Sequence, residues 1–285
     1  MKHGKQQKGY KNKKQLINHA LEFYSDYEYD KKSSESGDDR QKSFSCYTMD
    51  EIDAKITKPL NKSQELYYNL LRNVNKKIII ATGPAGTGKT LLSTEFGIRN
   101  FACGNCEKLV FTRPSVSVDE DLGHLPGSYE DKMSPWVRPI YDILYNFITP
   151  KEVSKLIEDK FIEISPLGYM RGRTFKNCWI IADEMQNSTV SQMKMLLTRM
   201  GENSRIVITG DLEQCDNTDE MNGLDDFLNK FKGRRSSSIS SIEFQCDDIQ
   251  REEVVKEVLE IYDSECIPTA YMLDKDNMFD STKDT

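Results

Sequence analysis

With 285 residues, 37% of them hydrophobic, the chain can bury one sizeable core, and its net charge of −7 excludes a uniformly basic nucleic-acid coat while still allowing a local basic patch. No apolar run approaches the roughly 18 residues of a membrane span, and the lysine-bearing N-terminus lacks the apolar segment of a signal peptide. Seven scattered cysteines, an odd number, suit free thiols in a reducing, cytoplasmic compartment.

Lys2, Lys5, Lys8, Lys11, Lys13 and Lys14 open the chain without an acid among them, and the next stretch turns acidic and serine-rich, through Asp26, Glu28, Asp30, Glu35, Asp38 and Asp39. Neither part has periodic apolar residues to repay ordering, so residues 1–50 read as a disordered arm. Its lysines either touch nucleic acid or form a solvated tail. Order is expected to begin near Ile56. Pro59 to Asn75 reads as a helix with an apolar face of Leu60, Leu66, Tyr67, Leu70, Leu71 and Val74. Gln64 on this helix stands where some helicase-like ATPases place an adenine-reading glutamine, or is an ordinary exposed helix residue.

Ile78 to Thr82 is uncharged and reads as a strand buried on both faces. Gly83-Pro84-Ala85-Gly86-Thr87-Gly88-Lys89-Thr90 then fits the G-x-x-x-x-G-K-[ST] phosphate loop at every required position. Its glycines let successive amides turn inward on a polyphosphate; Lys89 can reach the β/γ-phosphates, and the Thr90 hydroxyl can ligate Mg²⁺. Residues 89–101 continue as a helix whose N-terminal end favours the same anion, which places Leu91 in the nucleotide site with residues 83–90. The pattern implies binding of a nucleoside triphosphate.

Cys103-Gly-Asn-Cys106 is a lone C-x-x-C, read as Gly104 closing the helix more readily than as a metal or redox pair. Lys108 to Thr112 is a second strand, followed by loop as far as Gly127, a helix from Pro139 to Thr149, another over 151–159, and a strand over Phe161 to Ile164. In the loop that follows, Tyr169, Arg171 and Arg173 suggest either a phosphate contact or a solvated turn. Cys178 to Ala182 is another buried strand, ending in Asp183-Glu184. A carboxylate at such a tip holds Mg²⁺, and the adjacent Glu184 can polarise an attacking water.

Thr189 and Gln192 form a capping box for the next helix, Gly201 is placed to close it, and Val190, Met193, Leu196, Leu197 and Met200 give it an apolar stripe for core packing. The strand Arg205 to Asp211 brings Thr209, Asp211 and Gln214 to the same edge, where polar groups can sense a γ-phosphate. A helix over Asn222 to Lys230, a mobile basic connector over Gly233 to Ser238, and a strand over Ile239 to Phe244 come next. A final helix is expected to open with Asp248 as its N-cap, and a polar tail follows over 264–285.

Taken together these pieces resemble the PhoH-like ATPases, a family induced by phosphate starvation, over roughly Lys58 to Asp263. The likeness rests on the phosphate loop, Thr112-Arg113-Pro114, Asp121-Leu122-Gly123, Leu125-Pro126-Gly127, Pro166 to Thr174 with its Arg-Gly-Arg-Thr, Asp183-Glu184-Met185-Gln186-Asn187, Thr209-Gly210-Asp211 with Gln214, and Asp248-Ile249-Gln250-Arg251. Met185 departs from the usual alanine, and Glu252 from the usual histidine. The resemblance implies an ATPase domain over 56–263: an α/β fold, a RecA-like P-loop NTPase core with a mainly parallel sheet flanked by helices. ATP and Mg²⁺ are the implied cofactors. Lys89, Glu184, Gln214 and Arg251 are the implied catalytic set, with Thr90 and Asp183 on the metal. It further implies ATP-driven work on RNA or single-stranded nucleic acid. One core cannot supply the relative movement of two, so a homo-oligomeric ring, hexameric for example, is expected, with Arg251 serving a neighbouring subunit's ATP. A P-loop small-molecule kinase and a non-catalytic ATP-gated nucleic-acid-binding module are the alternatives.

Overall fold

Six short strands, most of them apolar, set the architecture. In the computed structural model, which describes residues 49–114, 138–214, 221–250 and Val254, they form one sheet. The strands are β1 (Ile78–Thr82), β2 (Lys108–Thr112), β3 (Ile162–Ile164), β4 (Cys178–Ala182), β5 (Arg205–Gly210) and β6 (Ile239–Glu243). Their order is β3-β2-β4-β5-β1-β6, and every pairing is parallel. Parallel neighbours need crossovers, and the helices that supply them cover both faces. These helices are α1 (Met49–Lys55), α2 (Lys62–Arg72), α3 (Lys89–Ala102), α4 (138–145), α5 (Pro150–Glu158), α6 (Val190–Leu197) and α7 (Gly223–Phe231).

Alternation along each strand divides the core in two. Ile79, Ala81, Leu109, Phe111, Trp179, Ile181 and Val207 join one layer with Tyr67, Leu71, Leu92, Phe96 and Leu144. Ile78, Ile80, Val110, Ile180, Ala182, Ile206 and Ile208 join the other with Leu167, Met170, Met193, Leu196 and Leu224. The stripe on α6 is core packing, as its spacing implies: Met193 and Leu196 are buried.

Several local expectations are corrected. A described helix, α1, already precedes Ile56, because Ile52 and Ile56 bury a face that two apolar residues among charges do not advertise. The helix expected over 59–75 is Lys62–Arg72, capped by the Asn61 side chain, which accepts from Gln64 N at 2.7 Å. Its buried face is Gln64, Tyr67 and Leu71, while Leu60, Leu66 and Val74 are exposed. The α6 helix stops at Leu197, short of Gly201, which is needed for another reason: its N–H donates to Phe175 O at 2.7 Å, and a Cβ there would meet that oxygen at 2.6 Å. The connector before β6 is fastened, with Lys77 and Ile78 N–H both donating to Ser238 O. Asp248 closes a 3-10 turn, Cys246–Asp248, and its carboxylate accepts from Gln245 N at 3.0 Å, so it is not the N-cap of a following helix.

One buried cation ties α2 to the sheet. Arg205, at the start of β5, donates to Leu71 O and Lys76 O at 2.9 Å, Asn73 O at 3.1 Å and Leu70 O at 3.3 Å, and lies 4.6 Å over the Trp179 ring. Burial pulls its guanidinium down to about 10.

Candidate active site

Because β5 is inserted between β1 and β4, the phosphate loop, the Asp183-Glu184 tip and the Gly210-Asp211 tip meet at one carboxyl edge of the sheet. Such edges are where parallel α/β sheets hold ligands. The loop turns on Gly83, Gly86 and Gly88, all at positive φ. Gly83 is also required by contact, since a Cβ there would meet Phe244 O at 2.3 Å. Pro84, Ala85 and Thr87 fill the turn between these glycines; Thr87 Oγ1 donates to Pro84 O at 3.0 Å, and Leu91 follows, half-buried, in the first turn of α3.

Lys89 heads α3 and folds back over the loop, its ammonium donating to Gly83 O and Pro84 O at 2.6 Å and to Thr87 Oγ1 at 3.2 Å. Burial lowers its pKa, against the opposing pull of the Asp211, Asp183 and Glu184 carboxylates. Beside it the Thr90 hydroxyl donates to Asp183 Oδ1 at 2.8 Å, and Thr209 Oγ1 donates to the same oxygen. A carboxylate next to a threonine hydroxyl is a hard oxygen set that fits Mg²⁺ shared with phosphate oxygens.

Gln64 braces the loop from α2. Its Nε2 donates to Thr87 O at 3.0 Å and its Oε1 accepts from Leu60 N at 2.9 Å, leaving one N–H and one lone pair. Glu184 adopts left-handed backbone, φ 53° and ψ 40°, a conformation costly for a side chain with a Cβ and concentrated at functional sites. Its Oε2 accepts from Gln186 Nε2 at 2.6 Å. Gln214 lies exposed at the rim. Arg251 lies outside the described residues, but Gln250 before it donates its N–H to Gly86 O of the phosphate loop at 3.0 Å.

Two other motifs resolve structurally. Arg173 is paired with Glu163, at 2.8 Å from Nη2 to Oε2, and lies 4.6 Å over the Phe175 ring, while Arg171 and Tyr169 are exposed. Arg173 holds the Glu163 carboxyl below its ordinary value. At the C-x-x-C, Gly104 takes φ 72° after α3, burial pushes the Cys106 thiol up to about 12, and no metal-holding group of three or more His, Cys, Asp or Glu occurs among the described residues. No described helix is long and apolar enough to cross a membrane.

Sequence reasoning gave Gln186 no role beyond its place in the 183–187 motif, and it did not single out Arg205. Both are polar side chains buried by contacts from distant segments, and the one local signal was a glutamine following Asp183-Glu184.

The parallel sheet, the phosphate loop and the carboxylate strand one place removed define a P-loop NTPase with a RecA-like core. The family model described as PhoH-like protein matches residues 56–263, and the chain belongs to that family. A PhoH-like protein of Bacillus subtilis is 40% identical over 189 residues, 66% of this chain and 59% of that relative. Protein PhoH of Escherichia coli K12 is 36% identical over 214 residues, 74% of this chain and 60% of its own length. The chain thus spans about 60% of the length of these curated relatives. Among solved structures, the DUF1998 helicase MrfA bound to DNA shares 13% identity over 75% of this chain and 30% of its own, with a TM-score of 0.39.

Proposed function

We propose that the protein is a Mg²⁺-dependent ATPase that couples hydrolysis to the binding or remodelling of RNA or another single-stranded nucleic acid. The observation that carries the ATPase reading is the Thr90–Asp183 hydrogen bond with Glu184 at the next position. The loop amides of 84–90 and Lys89 would hold the phosphates, exchanging the lysine's own-loop carbonyls for phosphate oxygens. Thr90 and Asp183 would hold Mg²⁺, which neutralises charge on the β- and γ-phosphates when bound. Glu184 would orient the attacking water. The spare N–H and lone pair of Gln64 match the N7 acceptor and N6 donor of adenine. Gln214 and Arg251 would contact the γ-phosphate. The tie from Gln250 to Gly86 of its own loop favours Arg251 acting on its own chain's nucleotide rather than on a neighbour's.

Support for the nucleic-acid partner comes from Tyr169 and Arg171, an aromatic residue and a cation that are both exposed on the 3-10 turn Leu167–Met170 and just after it, and from the lysine-rich arm. Movement along a strand would follow from assembly into a homo-oligomeric ring, hexameric for example. The described free thiols suit a cytoplasmic setting. The test is release of free phosphate from ATP and Mg²⁺ with no added acceptor, measured with and without RNA. Phosphate released only in the presence of an acceptor hydroxyl would make the protein a kinase, and tight ATP binding without turnover would make it a gated binding module.

A further inference from the structure

Gln186 is 2% exposed, and its carboxamide sits between two strand tips. Its Nε2 donates to Glu184 Oε2 at 2.6 Å and to Gln214 O at 3.3 Å, so both amide hydrogens are spent on opposite sides of the site. Its Oε1 accepts the Asp211 backbone N–H at 3.0 Å. Glu184 and Gln186 follow β4, whereas Asp211 and Gln214 follow β5. One side chain therefore bonds the carboxylate proposed to orient water to the segment that presents Gln214.

Space for this bridge is built into the strand. A Cβ at Gly210 would stand 2.6 Å from Leu224 Cδ2, 2.9 Å from Gln186 Oε1 and 3.2 Å from the Gln186 backbone N, so a glycine at the end of β5 leaves room for the carboxamide as well as for Leu224. The left-handed backbone at Glu184 turns the chain just before Met185–Asn187, the 3-10 turn that carries Gln186. A carboxylate on such a turn has rotamer freedom of its own. A buried donor at 2.6 Å removes it, because leaving that amide unpaired costs more than the bond returns in solvent.

We propose that Gln186 is a positioning residue for ATP hydrolysis: it aims the Glu184 carboxylate and makes that aim depend on the Asp211–Gln214 segment. This deepens the ATPase reading and rests on it. A shift of Gln214 toward a γ-phosphate would draw its carbonyl from the shared amide, and the Glu184 carboxylate would follow the same group. The site would be competent only when both strand tips are in register.

The test is a double-mutant cycle on turnover, preceded by one control: wild type must release phosphate and Lys89→Ala must not. Failure of that control overturns the ATPase reading, and the positioning role with it. With the control met, Gln186→Ala is expected to lower kcat by about ten- to a hundredfold, the scale of a misaimed catalytic group, with KM and the affinity for a fluorescent ADP analogue within about threefold of wild type. In the Glu184→Gln background the same change is expected to add less than about twofold, because a residue acting through Glu184 has nothing left to aim. Gln186→Glu separates the two bonds. It keeps an acceptor for Asp211 N–H but loses the donor to Glu184, so it should fail as Gln186→Ala does, and it serves if the alanine variant does not fold. Wild-type kcat in either variant, or a full multiplicative loss in the double mutant, would overturn the proposal.

Discussion

Thr90 and Asp183, 93 positions apart in the chain, share a hydrogen bond of 2.8 Å at the carboxyl edge of the sheet. Asp183 N–H also donates to Thr112 O at 2.9 Å, so the backbone at Asp183 is held by the β2 tip while its carboxylate is held from α3. The phosphate-loop helix and the carboxylate tip are thereby joined directly, so charge placed on one is felt at the other.

Glu184→Gln should bind ATP normally and turn it over at least about a hundredfold more slowly, the scale of a lost general base. Lys89→Ala should instead weaken binding itself, since its ammonium meets the phosphates in the ground state. Equilibrium binding and phosphate release, measured on both variants, separate the two effects. Near-normal turnover in the glutamine variant would shift the base to another carboxylate at this edge, Asp211.

Arg205→Met should destabilise the fold by about 2–4 kcal/mol, because several backbone carbonyls at the end of α2 lose a buried donor that thioether and methyl groups cannot replace. Urea unfolding checks this. A loss under about 0.5 kcal/mol would show that water reaches those carbonyls.

Glu95, buried on α3, accepts from Thr57 N at 2.9 Å and from Thr57 Oγ1 at 2.8 Å. Burial raises its carboxyl above the ordinary value, outweighing those two bonds. The folded chain then holds this proton more tightly than the unfolded chain, so the stability it contributes is present in acid and lost as pH rises through the raised value. Glu95→Gln removes the charge and keeps an acceptor. Its Tm relative to wild type should therefore climb as pH is taken from about 4 upward through the carboxylate range. A gap that narrows with rising pH would mean that the Thr57 bonds favour the ionised form.

Arg251→Ala should lower turnover by about 10³-fold or more if the guanidinium stabilises transferring phosphate. Mixing it with Lys89→Ala protein reads where the arginine acts. With Gln250 bonded to its own loop, no recovery of activity is expected. Recovery in the mixture would assign Arg251 to a neighbour's nucleotide, and full activity in Arg251→Ala alone would remove it from the mechanism.

Removing residues 1–48 should leave basal ATP hydrolysis unchanged, the cut falling before α1 at Met49. Any loss should appear in RNA binding at low salt and vanish as salt rises, since lysine–phosphate contacts release counterions. A filter-binding titration at two salt concentrations reads the difference.

Contiguous stretches carried much of this protein in plain view. The apolar run Ile78–Thr82 could only be a doubly covered strand, and the glycines and Lys89 after it needed no partner from elsewhere to declare a phosphate loop, because loop geometry there is set by local backbone freedom. The Asp183-Glu184 tip and the Thr189–Gln192 capping box were legible for the same reason. What lay beyond local pattern were choices made by distance. Whether Leu66 or Gln64 faces the core depends on where the phosphate loop sits, 23 residues from Gln64 along the chain. Gly201 and Gly210 are glycines because other segments approach them, and helix-closing logic could not find that. Gln186 acquires its Asp211 and Gln214 partners only when β4 meets β5, and Arg205 its carbonyls only when β5 meets the end of α2. A buried polar side chain is specified by the donors and acceptors that surround it after folding, and those come from residues that the chain alone leaves far apart.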